Sequence, residues 1–127
     1  MTHAKFHLAG VMGWPVMHSR SPRLHNRWMA RYGIAGYYAP LAVEPGRVET
    51  ALRGLAALGF SGCNVTIPHK EEVARLVDAR DDAASKIGAV NCVVVRSDGS
   101  LVGRNFDAFG FLESLRASAP DWRAARG

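Results

Sequence analysis

The chain has 127 residues, enough for one domain with a true hydrophobic core. With 48% hydrophobic and 21% charged residues it reads as a globular protein, which excludes a disordered or fibrous class. The formal net charge is +5, but the arginines are scattered from Arg20 to Arg126 without a run of three. That dispersal reads as a solvated surface and speaks against a nucleic-acid partner, while the basic excess would suit a small acidic ligand.

Cys63 and Cys92 stand far apart, with no C-x-x-C and no paired histidines, so no zinc site or disulfide framework is expected. Both lie in apolar runs and read as small buried hydrophobes in a reducing, cytoplasmic compartment. The uncharged stretch 54–69 is too short for a membrane span and is broken by Gly59, Gly62 and Pro68. The opening "MTHAKFHLAGVMGWPVM" is interrupted by Gly10, Gly13 and Pro15 and has no A-x-A site after it, unlike a secretory leader.

In chain order, residues 6–13 read as a buried strand. Residues 21–33 read as a helix capped by Ser21, with Pro22 in its first position, Gly33 at its end and Leu24, Trp28 and Tyr32 as its apolar face. A second strand spans 37–43, and Pro40 pushes it towards a sheet edge. Residues 47–59 predict a helix burying Val48, Leu52, Leu55 and Leu58. A third strand covers 62–67, a helix 68–77 and a short helix 81–87. Strands 89–96 and 101–106 form a hairpin around Asp98-Gly99, and 107–118 is the last helix. This alternation predicts an α/β fold: a mostly parallel sheet, one antiparallel strand, and helices on both faces in three layers.

In such sheets ligands bind beyond the carboxyl ends of the strands, where the unexplained polar residues of this chain collect. Ser19 and Ser21 open a helix. They either cap it or, with its free N–H groups, form an anion site. His18, His25 and His69 have no metal-ligand spacing. Asn91 lies in an apolar run, where an unpartnered amide costs about 1–3 kcal/mol. It ties two loops together or bonds a polar ligand. Asp107 reads locally as a helix cap. Lys70 stands in the first turn of a helix, against the dipole, in a chain that uses arginine for thirteen of its sixteen basic residues. Arginine cannot give up its proton, whereas a lysine beside a carboxylate such as Asp107 can be tuned for proton transfer.

The segments "HSRSPRLHN", "NVTIPHK", "IGAVNC" and "GRNFDAFGF", in this order and spacing, resemble the substrate-binding domain of shikimate dehydrogenase from residue 6 to about residue 115. The resemblance implies a substrate domain over 1–118 and a linker over 119–127 leading towards an NADP-binding Rossmann domain. It implies the NADP-dependent, reversible reduction of 3-dehydroshikimate to shikimate in aromatic amino-acid biosynthesis. By the same token Ser19 and Ser21 take the substrate carboxylate, Thr66 and Asn91 its hydroxyls, and Lys70 with Asp107 forms the catalytic pair. None of the thirteen glycines makes a G-x-G, so no NADP site is expected in this chain, nor a metal site. The isolated chain is expected to bind substrate without turnover, and to offer for self-association the face that a second domain would cover. Phe106 and Cys92 replace the usual threonines of two motifs. They leave open a quinate/shikimate dehydrogenase-like preference, and a noncatalytic shikimate-binding module is the other alternative.

Overall fold

The computed structural model describes residues 5–123. The elements run β1 (His7–Gly13), α1 (Ser21–Arg31), β2 (Gly36–Ala42), α2 (Val48–Ala57), β3 (Gly62–Val65), α3 (Lys70–Leu76), β4 (Ala79–Arg80), α4 (Asp82–Ile87), β5 (Cys92–Val95), β6 (Leu101–Arg104) and α5 (Asp107–Ser118). They build one six-stranded sheet in the order β2-β1-β3-β5-β6-β4. The β1–β2, β1–β3 and β4–β6 pairs are parallel, and β5 runs antiparallel to both β3 and β6. The expected single antiparallel strand is therefore β5, the first arm of the hairpin. Its turn has Gly99 at φ +85, and Asp98 accepts hydrogen bonds from the Ser100 N–H and hydroxyl.

Alternation along the strands feeds two cores on opposite faces. On one face Met12, Cys63, Val65, Val93 and Leu101 pack with Val48, Leu52 and Leu55 of α2, Val73 and Ala74 of α3, and Ala84 of α4. On the other, Val11, Val16 and Tyr38 pack with Ala9 and with Met29 of α1. Pro40 lies in β2, which is an edge strand as expected, so its missing N–H leaves no gap inside the sheet.

Several local expectations are corrected. β4 is absent from the sequence reading, because two residues carry no periodicity; its pairing with β6 alone defines it. The third strand stops at Val65, and β5 starts one residue after Asn91. Helix α1 exposes Leu24, Trp28 and Tyr32 and turns Ser21, His25 and Met29 inwards. It lies along the open edge of β2, and a polar side chain decides its rotation. Asn26 donates to the Tyr38 carbonyl at 2.9 Å and accepts the Tyr38 N–H at 2.8 Å, closing two backbone groups that no strand pairs. Ser21 is the first helical residue and not the cap; Arg20 holds the cap position, and the Ser19 hydroxyl accepts the Ser21 N–H at 3.2 Å. Of the expected linker 119–127, residues 124–127 lie outside the described residues. Among the described residues no helix is long and apolar enough to cross a membrane.

Leu52 and Leu58 share the predicted apolar stripe of α2, yet Leu52 is 1% exposed and Leu58 68%, beyond the helix end. Leu52→Ala is expected to lose about 2–5 kcal/mol of stability, as a buried leucine does on truncation. Leu58→Ala should stay within about 0.5 kcal/mol. Urea unfolding followed by circular dichroism checks both; equal losses would contradict the packing.

Candidate active site

The order β2-β1-β3 sends the chain to one side of β1 for β2 and to the other for β3. A crevice opens where the direction reverses, outside the carboxyl ends of β1 and β3. Because β5 is antiparallel, Asn91 at its start lies at the same end of the sheet as Thr66 after β3 and Asp107 after β6. Glycine at position 13 lets the two loops close: a Cβ there would come within 2.4 Å of the Thr66 methyl. The Thr66 N–H donates to the Met12 carbonyl at 2.8 Å, and Trp14 N–H to the Ile67 carbonyl at 3.2 Å.

The pocket formed there has a volume of about 550 Å³, within the usual range for a small-molecule site. Ser19, Ser21, Thr66, Lys70, Asn91 and Asp107 all line it, with His18, His25 and Asn64. The six residues singled out in the sequence thus come together from four separate segments.

Lys70 and Asp107 are each the first residue of a helix, α3 and α5. Lys70 Nζ donates to Asp107 Oδ2 at 2.6 Å. The other oxygen, Oδ1, accepts from Asn91 Nδ2 at 2.8 Å, and Asn91 Oδ1 accepts the Phe106 N–H at 3.0 Å. Asn91 thus joins two loops, one of its two local readings, and does so inside the pocket. The cap reading of Asp107 fails: Asp107 is the first helical residue, Phe106 holds the cap position, and Asn105 accepts the Asp107 N–H at 2.9 Å. Asn105 can do so because it is 5% exposed and anchored to the Ala89 carbonyl. The Asp107 carboxylate faces Lys70 and Asn91 instead. The Lys70 hydrogen bond is the main cause that holds the Asp107 carboxyl below its usual range, helped by Asn91 and by the lysine charge and opposed by partial burial.

The three histidines part ways. His18 is exposed at the pocket. His25 donates from Nδ1 to the Ser21 carbonyl at 2.9 Å, which fixes its tautomer. His69 is buried, outside the pocket lining, and donates from Nε2 to the Val43 carbonyl at 2.6 Å, pinning the loop after β2. Burial pushes the Cys63 thiol up to about 12 and raises that of Cys92, so both remain protonated packing groups. Among the described residues no cluster of three or more metal-ligating side chains forms. Sequence reasoning missed Asn64, which also lines the pocket. The buried-amide argument that drew attention to Asn91 applies equally to Asn64 in "GCNVTI" and would have found it.

Comparison with known proteins identifies the family. The family profile described as the shikimate dehydrogenase substrate binding domain matches residues 11–93. The shikimate dehydrogenase (NADP(+)) of Paramagnetospirillum magneticum is 58% identical over 123 residues, covering 97% of this chain and 45% of that protein. The chain therefore spans about half the length of that curated relative. The crystal structure of shikimate dehydrogenase from Aquifex aeolicus superposes with a TM-score of 0.85 at 40% identity, over 94% of this chain and 45% of the other. Shikimate 5-dehydrogenase from Listeria monocytogenes, solved in complex with shikimate and NAD, superposes at 0.82 with 32% identity, over 89% of this chain and 39% of the other. A mixed α/β sheet with this pocket, matched over most of its length by these proteins, belongs to the shikimate dehydrogenase substrate-binding domain family.

Proposed function

We propose that the pocket binds shikimate and 3-dehydroshikimate, as the substrate half of an NADP-dependent shikimate dehydrogenase. The observation that carries the reading is the Lys70–Asp107 contact at 2.6 Å within a pocket that also holds Ser19, Ser21, Thr66 and Asn91. Ser19 and Ser21 take the ligand carboxylate at the start of α1, where the helix N–H groups and dipole favour an anion. Thr66 and Asn91 take ring hydroxyls. Lys70 stands at the oxygen that changes between carbonyl and alcohol. Its ammonium stabilises negative charge developing there and hands over a proton. Asp107, held ionised by its two partners, orients the ammonium. We assign this role to a unit over residues 1–118, with 119–127 as the linker after it.

The residues at hand do not fit the dinucleotide. No glycine-rich phosphate turn lies beside the pocket among the described residues, and the sequence has no G-x-G. Dinucleotide binding falls to the part of the relatives' length that this chain does not span.

Asp107 gives a pH test. Its carboxyl is depressed in the folded state, so its stabilising contribution is complete above the unfolded carboxylate value of about 3.9 and is lost as pH falls through the lower folded value. In Lys70→Met the carbon-13 titration midpoint of the Asp107 carboxyl is expected to rise towards the ordinary range; an unchanged midpoint would remove Lys70 as the cause.

Isothermal titration with shikimate and with an analogue lacking the carboxylate tests the serines. Ser19→Ala and Ser21→Ala are expected to weaken shikimate binding about tenfold each, the loss of a hydrogen bond to a charged group, and to leave the analogue unaffected. Equal losses for both ligands would refute the carboxylate assignment. The 127-residue chain should show NMR shifts around Lys70 and Asp107 on adding shikimate, and form no NADPH when NADP is supplied. Steady NADPH formation would overturn the assignment of the cofactor site to another part of the protein.

A further inference from the structure

Behind the pocket lies a hydrogen-bonded group that the proposed chemistry does not use. Tyr38, on the edge strand β2, is 3% exposed. Asn26 holds its backbone N–H and carbonyl, and the His25 ring stacks on its ring at 4.1 Å and 9°. Its hydroxyl crosses beneath β1 and donates to Asn64 Oδ1 at 2.7 Å. Asn64 lies between the pocket and an apolar cleft behind it and lines both; Tyr38 sits in that cleft with Met29 and Cys92.

The orientation of the Asn64 amide follows from its neighbours. On one side stands the Asn91 carbonyl, an obligate acceptor that already takes the Val65 N–H at 2.9 Å. Only the Asn64 NH₂ group can face it, which it does at 3.4 Å. That contact is long and would hold the amide weakly by itself. On the other side the Tyr38 hydroxyl supplies a short, well-made bond. Burial raises the Tyr38 phenol well above its ordinary value, with smaller contributions from Cys63 and Cys92, so it remains a donor at every physiological pH. A neutral phenol can donate or accept, so the Asn91 carbonyl decides which end of the amide faces which side, and the Tyr38 hydroxyl then donates to the amide oxygen left opposite it. The amide has two N–H groups and one carbonyl partner, so the second N–H is available to whatever fills the pocket.

We propose that Tyr38 is a positioning residue for the pocket: its hydroxyl holds the Asn64 carboxamide with the NH₂ group, and not the carbonyl, turned towards the ligand. The pocket wall between Thr66 and Asn91 is then a fixed hydrogen-bond donor that selects a ligand oxygen with a free lone pair, such as a ring hydroxyl. Asn26 and His25 serve the same end one step further out, by fixing the Tyr38 backbone and ring. The ligand named in the test rests on the shikimate reading above; the amide orientation does not.

Two arms separate those readings. In the ligand-free chain, Tyr38→Phe is expected to move the nitrogen-15 side-chain amide signals of Asn64 more than those of any other asparagine. Tyr37→Phe, at the exposed neighbouring position, leaves them in place. Unmoved Asn64 signals in Tyr38→Phe would overturn the proposal whatever the ligand. With shikimate, Tyr38→Phe is expected to weaken binding about fivefold, the worth of one oriented hydrogen bond. In an Asn64→Ala background the same change should have no further effect, because Tyr38 acts only through that amide. An equal loss in both backgrounds would mean a merely structural tyrosine and would sink the proposal, as would no loss in either. If the unsubstituted chain shows no response to shikimate, the ligand reading falls, and the ligand-free arm still decides the role of Tyr38.

Discussion

Lys70 and Asp107 meet at 2.6 Å across the ends of two helices, and the rest of the pocket is arranged around that contact. At the start of α3 a lysine opposes the helix dipole at a cost of about 0.3–1 kcal/mol, whereas an aspartate at the start of α5 gains a similar amount. Glu71 and Glu72 offset part of the cost within the same turn. The side chains are 31% and 53% exposed, so the pair adds little to stability. Folding energetics therefore do not account for a lysine in so unpromising a place. On the function proposed above, Lys70 is the proton donor at the open end of the sheet, and the Asp107 carboxylate keeps its ammonium aimed.

A polar framework carries that contact across the sheet. Asp107 is bonded to Asn91, the Asn91 carbonyl faces Asn64, Asn64 is bonded to Tyr38, and Tyr38 is clipped to α1 by Asn26. Buried polar groups cost more when left unpaired than they return when paired. Among the described residues every buried side-chain nitrogen or oxygen has a partner. The framework thus fixes directions at small net gain in stability, while the apolar clusters on the two faces hold the sheet and its helices together. Position 13 belongs to the same design, since only a residue without a side chain lets the loop after β3 approach β1 closely enough to bring Thr66 into the pocket.

Much of the fold was legible because its signals are local and repeated. Val48, Leu52 and Leu55 recur at helical spacing and are buried; Pro40 marks an edge strand; Asp98-Gly99 marks the hairpin turn. The failures share a cause. Leu24, Trp28 and Tyr32 form an apolar stripe, yet α1 turns that stripe outwards, because the unpaired backbone of β2 binds Asn26 and sets the rotation. Ser21 and Asp107 look like helix caps, but Ser19 and Asn105 take up the N–H groups. In each case a partner distant in sequence, or a competing neighbour, overrode a local preference.

The sequence alone determined the alternation of strands and helices, the single antiparallel strand, and which residue types were too costly or too out of place to be there by chance: Lys70 against its dipole, Asn91 in an apolar run, Ser19 and Ser21 before a proline. These are properties of short segments, set by backbone geometry, dipoles and desolvation, and they need no knowledge of what lies opposite. Only the tertiary structure decided that Asp107 faces Lys70, that Asn91 joins them, and that Tyr38 reaches Asn64 from two strands away. Those contacts depend on strand order and on the direction of β5, which place residues from separate segments at one end of the sheet, and a hydrogen bond exists only when both partners arrive within about 3 Å of each other.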